Sequence, residues 1–154
     1  MIDLYEELAN VAAQLDAAGI PYALVGGLAY SMWVEARATE DIDLLILPDS
    51  WPGIPALLAP LGFQELTSPL EFKALRINRL TKIQDGDALV LDFLLAEEEF
   101  ADAVHQSIPL PYKDRVFRVA PVDTIIELKK RRMSAKDEND IAGLRKAKEG
   151  GNPS

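Results

Sequence analysis

The chain contains no cysteine and one histidine, His105. The first absence excludes a disulfide scaffold, a thiolate zinc site and a cysteine nucleophile, and the second excludes a multi-histidine metal centre. Any metal must then sit on carboxylates. Nothing at useful spacing pairs with His105, which reads as a surface or strand-end residue. No apolar run approaches the ~18 residues a membrane span needs, and the opening MIDLYEEL is acidic with no cationic leader pattern. A cytoplasmic protein without a membrane partner is the expectation. Positive charge is also scarce where the chain begins. Residues 1–70 carry ten acids and a single base, Arg37, whereas fifteen acids and fifteen bases share residues 71–154. The formal net charge of −9 argues against non-specific coating of nucleic acid, which needs an excess of Lys and Arg.

What is present is ordinary globular material. With 154 residues the chain suffices for one domain that buries roughly 68–70% of its unfolded surface. Residues 1–149 read as that domain and 150–154 as a frayed tail. Leu4, Leu8, Val11 and Leu15 form one apolar stripe on a helix from Asp3 to Ala18, closed by Gly19. Strand Pro21–Val25, the pair Gly26-Gly27 and a helix over Leu28–Val34 follow, and Asp41 opens a buried strand, Ile42–Leu47, stopped by Pro48. Short helices are expected at Ala56–Pro60 and Glu97–Val104, and strands at Phe63–Leu66, Phe72–Leu80 and Ala88–Leu95, with a hairpin turn at Asp85-Gly86-Asp87. Ile108–Ala120 reads as irregular β structure with two prolines. A helix over Val122–Met133, N-capped by Asp123, precedes a last one over Lys136–Lys148. Together these predict an α/β (α+β) domain with a mixed sheet flanked by helices. Trp33 and Trp51 read as core or rim packing.

One stretch carries chemistry. Alternation along the strand points Asp41 and Asp43 to the same side, placing two carboxylates at one end of the sheet. Such a pair favours a hard, oxygen-loving cation, Mg²⁺ or Mn²⁺. Strand, Gly-Gly and helix bring backbone N–H groups and the positive end of a helix toward an anion, a cradle for phosphates. Asp92 interrupts the apolar run Leu89–Leu95, where an unpaired charge is costly. A metal shared with Asp41 and Asp43 is the expected partner. Metal carboxylates beside a phosphate cradle suggest phosphoryl or nucleotidyl transfer. Each piece alone is bland, since a glycine pair is most often a turn and Asp-x-Asp a cap or solvated loop.

Gly26-Gly27-Leu28-Ala29, Arg37 to Leu45, Leu128-Lys129, Lys136-Asp137 and Asp140-Ile141 together resemble minimal proteins of the polymerase-β-type nucleotidyltransferase superfamily. Among them, the pattern is most similar to AbiEii-like toxin nucleotidyltransferases of toxin–antitoxin systems, over about Tyr22 to Leu144. The resemblance implies a nucleotidyltransferase fold with C-terminal helices and two Mg²⁺ or Mn²⁺ ions. It implies Asp41, Asp43 and Asp92 as catalytic residues and metal ligands, with Asp92 as base or orienter for the incoming hydroxyl. It also implies that Gly26 and Gly27 contact the triphosphate through the backbone, with Arg37 and Thr39 near its phosphates. Lys129 and Lys136 match basic positions of the family that steady the pyrophosphate or the base, with Asp137 and Asp140 holding those lysines. Leu28 stands where many members carry serine, leaving Ser31 as the nearest hydroxyl, and Ser134 where an arginine is expected.

The activity implied is transfer of a nucleoside monophosphate from a nucleoside triphosphate to an acceptor hydroxyl, by in-line displacement at the α-phosphorus. RNA, transfer RNA in particular, is the acceptor expected from the toxin members, with a cognate antitoxin as protein partner. A small acceptor, as in aminoglycoside- or lincosamide-modifying enzymes, is the alternative that the acidic first half suits. A non-catalytic binding module on the same fold is the third reading. The basic run Lys129-Lys130-Arg131-Arg132 reads equally as an offset for substrate charge and as a solvated helix face.

Overall fold

The computed structural model describes residues 2–33, 41–72, 75–132 and 144–148. Helix α1 (Leu4–Ala17) starts where the Asp3 carboxylate accepts hydrogen bonds from the backbone N–H of Tyr5 at 3.0 Å and of Glu6 at 3.2 Å. It ends at Gly19, whose φ of +70° lets Ile20 N–H donate to the carbonyl of Leu15 at 2.9 Å. Strand β1 (Tyr22–Val25) passes directly into α2 (Gly26–Trp33), two residues earlier than the sequence suggests. Strand β2 (Asp41–Ile46) follows, then a 3₁₀ turn over Pro48–Gly53, α3 (Ile54–Leu58), β3 (Phe63–Gln64), β4 (Leu70–Phe72), β5 (Leu75–Gln84) and β6 (Asp87–Leu95). The chain closes with α4 (Ala101–His105), β7 (Ile108–Tyr112), β8 (Arg115–Val119), α5 (Val122–Arg132) and a helical segment over 144–148.

Eight strands form one mixed sheet in the order β3-β5-β6-β2-β1-β8-β7, with β4 also paired to β5. β2 runs parallel to β6 and β1 parallel to β8, and the other pairs are antiparallel. The β5–β6 hairpin turns at Asp85 (φ +53°) and Gly86 (φ +84°), the left-handed pair that a two-residue turn requires. On one face of the sheet α1 packs against β2 and α3, and Phe93 meets the half-buried Trp51, whose ring lies 5.6 Å away. Helices α2 and α5 pack together on the opposite face, and the Trp33 indole N–H donates to the carbonyl of Ala120 at 3.2 Å.

Three local expectations are corrected. Phe72–Leu80 is two strands rather than one: Phe72 pairs with Leu75 as the chain reverses between β4 and β5, a turn that no glycine or proline announces. Ile108–Ala120 is a regular hairpin, because β7 is an edge strand and Pro109 and Pro111, two residues apart, direct their missing N–H groups to one side. Asp123 is not the N-cap of α5. The Ala120 N–H donates to the carbonyl of Leu24 at 2.9 Å, which extends the sheet to the residue before Pro121. Helical bonds then run back to the carbonyl of Pro121, so Asp123 lies inside the first turn with its carboxylate on Lys148 Nζ. Among the described residues no helix is long and apolar enough to cross a membrane.

Candidate active site

Register builds the site. On parallel strands β2 and β6, Asp43 stands beside Asp92, and on the antiparallel pair β5 and β6, Asp92 stands beside Arg79. Val25 on β1 faces Asp43 from the other side. Adjacent strand positions project to the same face, so one row crosses four strands: Arg79, Asp92, Asp43, Val25. Asp41, two residues before Asp43, shares that face at the exposed end of β2.

Gly26 closes the row. Its φ is +73°, and a Cβ there would lie 2.1 Å from Asp43 Oδ2. Only glycine lets the chain turn from β1 into α2 with its backbone against that carboxylate. Gly27 follows within the first turn of α2. The Ser31 hydroxyl donates to the carbonyl of Gly27 at 3.0 Å, four residues back. It is committed to its own helix and does not stand in for the serine that Leu28 replaces.

Asp92 is 6% exposed, and the charge has a partner that sequence reasoning missed. Arg79 Nε donates to Oδ1 at 2.7 Å and Nη2 to Oδ2 at 3.0 Å, a two-pronged charge-assisted contact. Hydrogen bonding to Asp92 raises the Arg79 pKa above its ordinary value, burial opposes the rise, and the charges of Asp92, Asp41 and Asp43 add to it. The guanidinium thus lies within the field of all three carboxylates. A signal for it exists in the sequence: a two-residue turn at Asp85-Gly86 sets Gln84 opposite Asp87, and five residues outward on each arm is Arg79 opposite Asp92.

Behind the carboxylates lies a cavity of about 50 Å³ lined by Val25, Gly26, Asp43, Asp92, Leu75, Ile77, Leu94, Ile125, Leu128 and Lys129. Lys129 is 2% exposed, and its ammonium stands 5.8 Å from the ring centroid of Tyr30. It therefore belongs to the site side of α5, while its neighbour Lys130 is exposed. Within the basic run, Lys129 thus lines the cavity and Lys130 faces solvent. Gly26, Asp43, Asp92 and Lys129 are brought together, with Asp41 on the same strand as Asp43. Arg37, Thr39, Lys136, Asp137 and Asp140, and the departure at Ser134, lie outside the described residues.

Among the described residues no group of three or more His, Asp or Glu side chains is disposed to hold a metal ion. The donor chemistry of Asp41 and Asp43 nevertheless fits Mg²⁺ or Mn²⁺, which take one or two carboxylates and fill their remaining positions with water and substrate phosphate. Asp92 differs, since Arg79 already supplies the counter-charge expected from a shared metal.

No family model matches the sequence, and no curated protein matches it. Solved structures do. The solution structure of the antibiotic-resistance factor ANT(2'')-Ia superposes with a TM-score of 0.65 at 20% identity, over 93% of this chain and 84% of that one. A nucleotidyltransferase-like protein of Thermotoga maritima, TM1012, gives 0.66 at 12% identity over 97% and 96%. The lincosamide antibiotic adenylyltransferase LnuA, with lincomycin bound, gives 0.66 at 14% identity over 91% and 95%. The chain has the nucleotidyltransferase fold, as the glycine pair and the aspartates suggest.

Proposed function

We propose that this chain is a nucleotidyltransferase that moves a nucleoside monophosphate from a nucleoside triphosphate to a hydroxyl of an acceptor. One observation carries the reading: Asp43, on a strand of this fold, stands between the Gly26 backbone and Asp92, at the start of a helix and at the edge of a cavity. Asp41 and Asp43 would hold a divalent cation, which when bound neutralises phosphate charge and lowers the pKa of a coordinated hydroxyl. Gly26 and Gly27 present backbone N–H groups at the start of α2 to the triphosphate. Asp92, fixed by Arg79, orients the acceptor hydroxyl and accepts its proton. Lys129 places a cation behind the carboxylates and offsets charge accumulating on the leaving pyrophosphate. Arg37, Thr39 and Lys136 complete the proposed nucleotide contacts.

A small hydroxylated acceptor, neutral or cationic, suits the site better than RNA. The formal net charge is −9, with ten acids against one base in residues 1–70, an excess that disfavours a polyanion, and burial of Lys129 removes one charge from the basic run. ANT(2'')-Ia has been captured with adenylyl-2''-tobramycin, and LnuA with lincomycin. RNA, as in the toxin members, is the second acceptor reading.

The test is transfer of label from each α-labelled nucleoside triphosphate, with Mg²⁺, to an amino sugar, a lincosamide or total RNA. Labelled small molecule with wild type, and a loss of at least about 100-fold in Asp43→Asn with the fold retained, is expected. Ribonuclease-sensitive label would move the acceptor to RNA. Transfer unaffected by Asp43→Asn would remove this site from the chemistry.

A further inference from the structure

The Arg79–Asp92 contact stands at a position where the simplest arrangement would be a third metal ligand. Both Asp92 oxygens accept from the guanidinium, at 2.7 and 3.0 Å. The contact is built by the sheet, because Arg79 and Asp92 are register partners; Asp92 is buried, and the Arg79 side chain keeps 31% of its surface in solvent. Asp43 is the next residue in the row, beside Asp92. Two carboxylates on neighbouring strands, one of them buried, repel each other unless a cation lies close to both. Here that cation is covalently part of the chain.

We propose that Arg79 is a positioning residue that serves as a permanent cation of the carboxylate site, on the strand side opposite Lys129: it locks Asp92 toward the acceptor and leaves the divalent ion to Asp41 and Asp43 alone. The inference rests on the nucleotidyltransferase reading for the identity of the acceptor, but its claim about metal binding does not need transfer to be observed. A guanidinium fork fixes the plane of a carboxylate as well as its charge, which a lysine ammonium does not. The carboxylate row is then held in place before metal or nucleotide arrives. The positive charge that holds it also opposes the entering cation, so this arrangement sacrifices metal affinity for a fixed Asp92.

Mn²⁺ titration followed by electron paramagnetic resonance separates the roles, using wild type, Arg79→Met, Arg79→Lys, Asp92→Asn and Asp43→Asn, each verified as folded by circular dichroism. Loss of one positive charge beside the carboxylates is expected to tighten Mn²⁺ binding in Arg79→Met by about fivefold. Arg79→Lys, which keeps the charge, is expected to bind within about twofold of wild type; Asp92→Asn, which removes a negative charge beside Asp43, is expected to weaken binding by about fivefold, and Asp43→Asn to lose it. For label transfer, both Arg79 variants are expected to lower kcat at least about tenfold with KM for the nucleotide little changed, because the orientation of Asp92 is lost while the nucleotide contacts remain.

Mn²⁺ affinity that is unchanged or weaker in Arg79→Met, or that falls in Asp92→Asn as it does in Asp43→Asn, would overturn the proposal. So would a wild type that binds no Mn²⁺. Should Arg79→Met fail to fold, Arg79→Lys and Asp92→Asn still decide whether Asp92 is a ligand. Metal binding in the expected pattern without transfer to any acceptor would refute the nucleotidyltransferase reading and leave the Arg79 assignment standing.

Discussion

Gly26 shows how much a single position constrains the site. Its positive φ is strained for any side chain, by about 1–2 kcal/mol, and its missing Cβ is the space that Asp43 Oδ2 occupies. Gly26→Ala must therefore move either the β1–α2 turn or the carboxylate. The variant is expected to unfold at a temperature lower by several degrees and to lose transfer beyond what that instability explains, since the displaced atom is a proposed ligand. Thermal melts beside transfer rates at a temperature where both proteins are folded measure the two effects separately. A substitution at Gly86 is a useful contrast. It too has positive φ, but no atom lies within 4 Å of its added Cβ, so it costs turn strain alone and spares the chemistry.

The elements are joined by polar contacts across the sheet's opposite face as well as by the core. Glu7 on α1 accepts from Lys82 Nζ on β5, at 2.6 Å to one oxygen and 3.0 Å to the other, with side-chain exposures of 11% and 16%. Lys82 also stands 5.9 Å from the ring centroid of Phe63 on β3. One ammonium thus links α1, β3 and β5, the half of the molecule that carries Arg79. Removing one member of such a pair leaves the other desolvated. Lys82→Met is expected to destabilise by about 1–3 kcal/mol, whereas Glu7→Leu/Lys82→Met together should recover much of that loss. Chemical denaturation of the two single variants and the double variant gives the coupling directly. A double variant no more stable than Lys82→Met would show that the pair is not what links these elements. Helix α5 serves the site instead. Its Ile125 and Leu128 wall the cavity and Lys129 lines it, so this element adds a second cation to the site beside Arg79 on β5.

At the scale of the whole molecule, burial sets the behaviour in alkali. Tyr22 opens β1 at 2% exposure, and burial, aided by the charge of Asp16, pushes its hydroxyl up to about 12 from 10.0. The unfolded chain loses that proton near pH 10 and the folded chain only near 12. Stability from Tyr22 is thus intact below pH 10 and lost as pH rises toward 12, by at most about 3 kcal/mol at 1.36 kcal/mol per unit. Burial raises Tyr5, which stacks on Tyr112 with centroids 4.3 Å apart, in the same direction. The melting temperature is expected to fall between pH 10 and 12, and Tyr22→Phe to flatten that fall. Equal slopes for the two proteins would show that the alkaline loss arises elsewhere.

Local chemistry determined what the sequence could disclose. The apolar stripe of the first helix, the Gly19 stop, the Asp85-Gly86 turn and the alternation that puts Asp41 and Asp43 on one face all follow from interactions between residues a few positions apart, and the structure contains each of them. The mixed sheet was legible in the same way, from short apolar runs and their punctuation. Arg79 opposite Asp92 was within reach by counting outward from the turn, but nothing local marks it. The parallel register of β2 on β6 had no such signal, because the two strands are separated by three others in sequence and no turn fixes their offset. The strand break between Phe72 and Leu75, and the passage of Ala120 into the sheet ahead of α5, also depend on partners distant in the chain. The sequence by itself determined which residues carry charge at the strand ends and the glycine turn that faces them. Only the tertiary structure decided that Asp92 is held by an arginine and that Lys129 is buried beside it, because pairing across a sheet and packing of a helix on its face are set by the whole core at once.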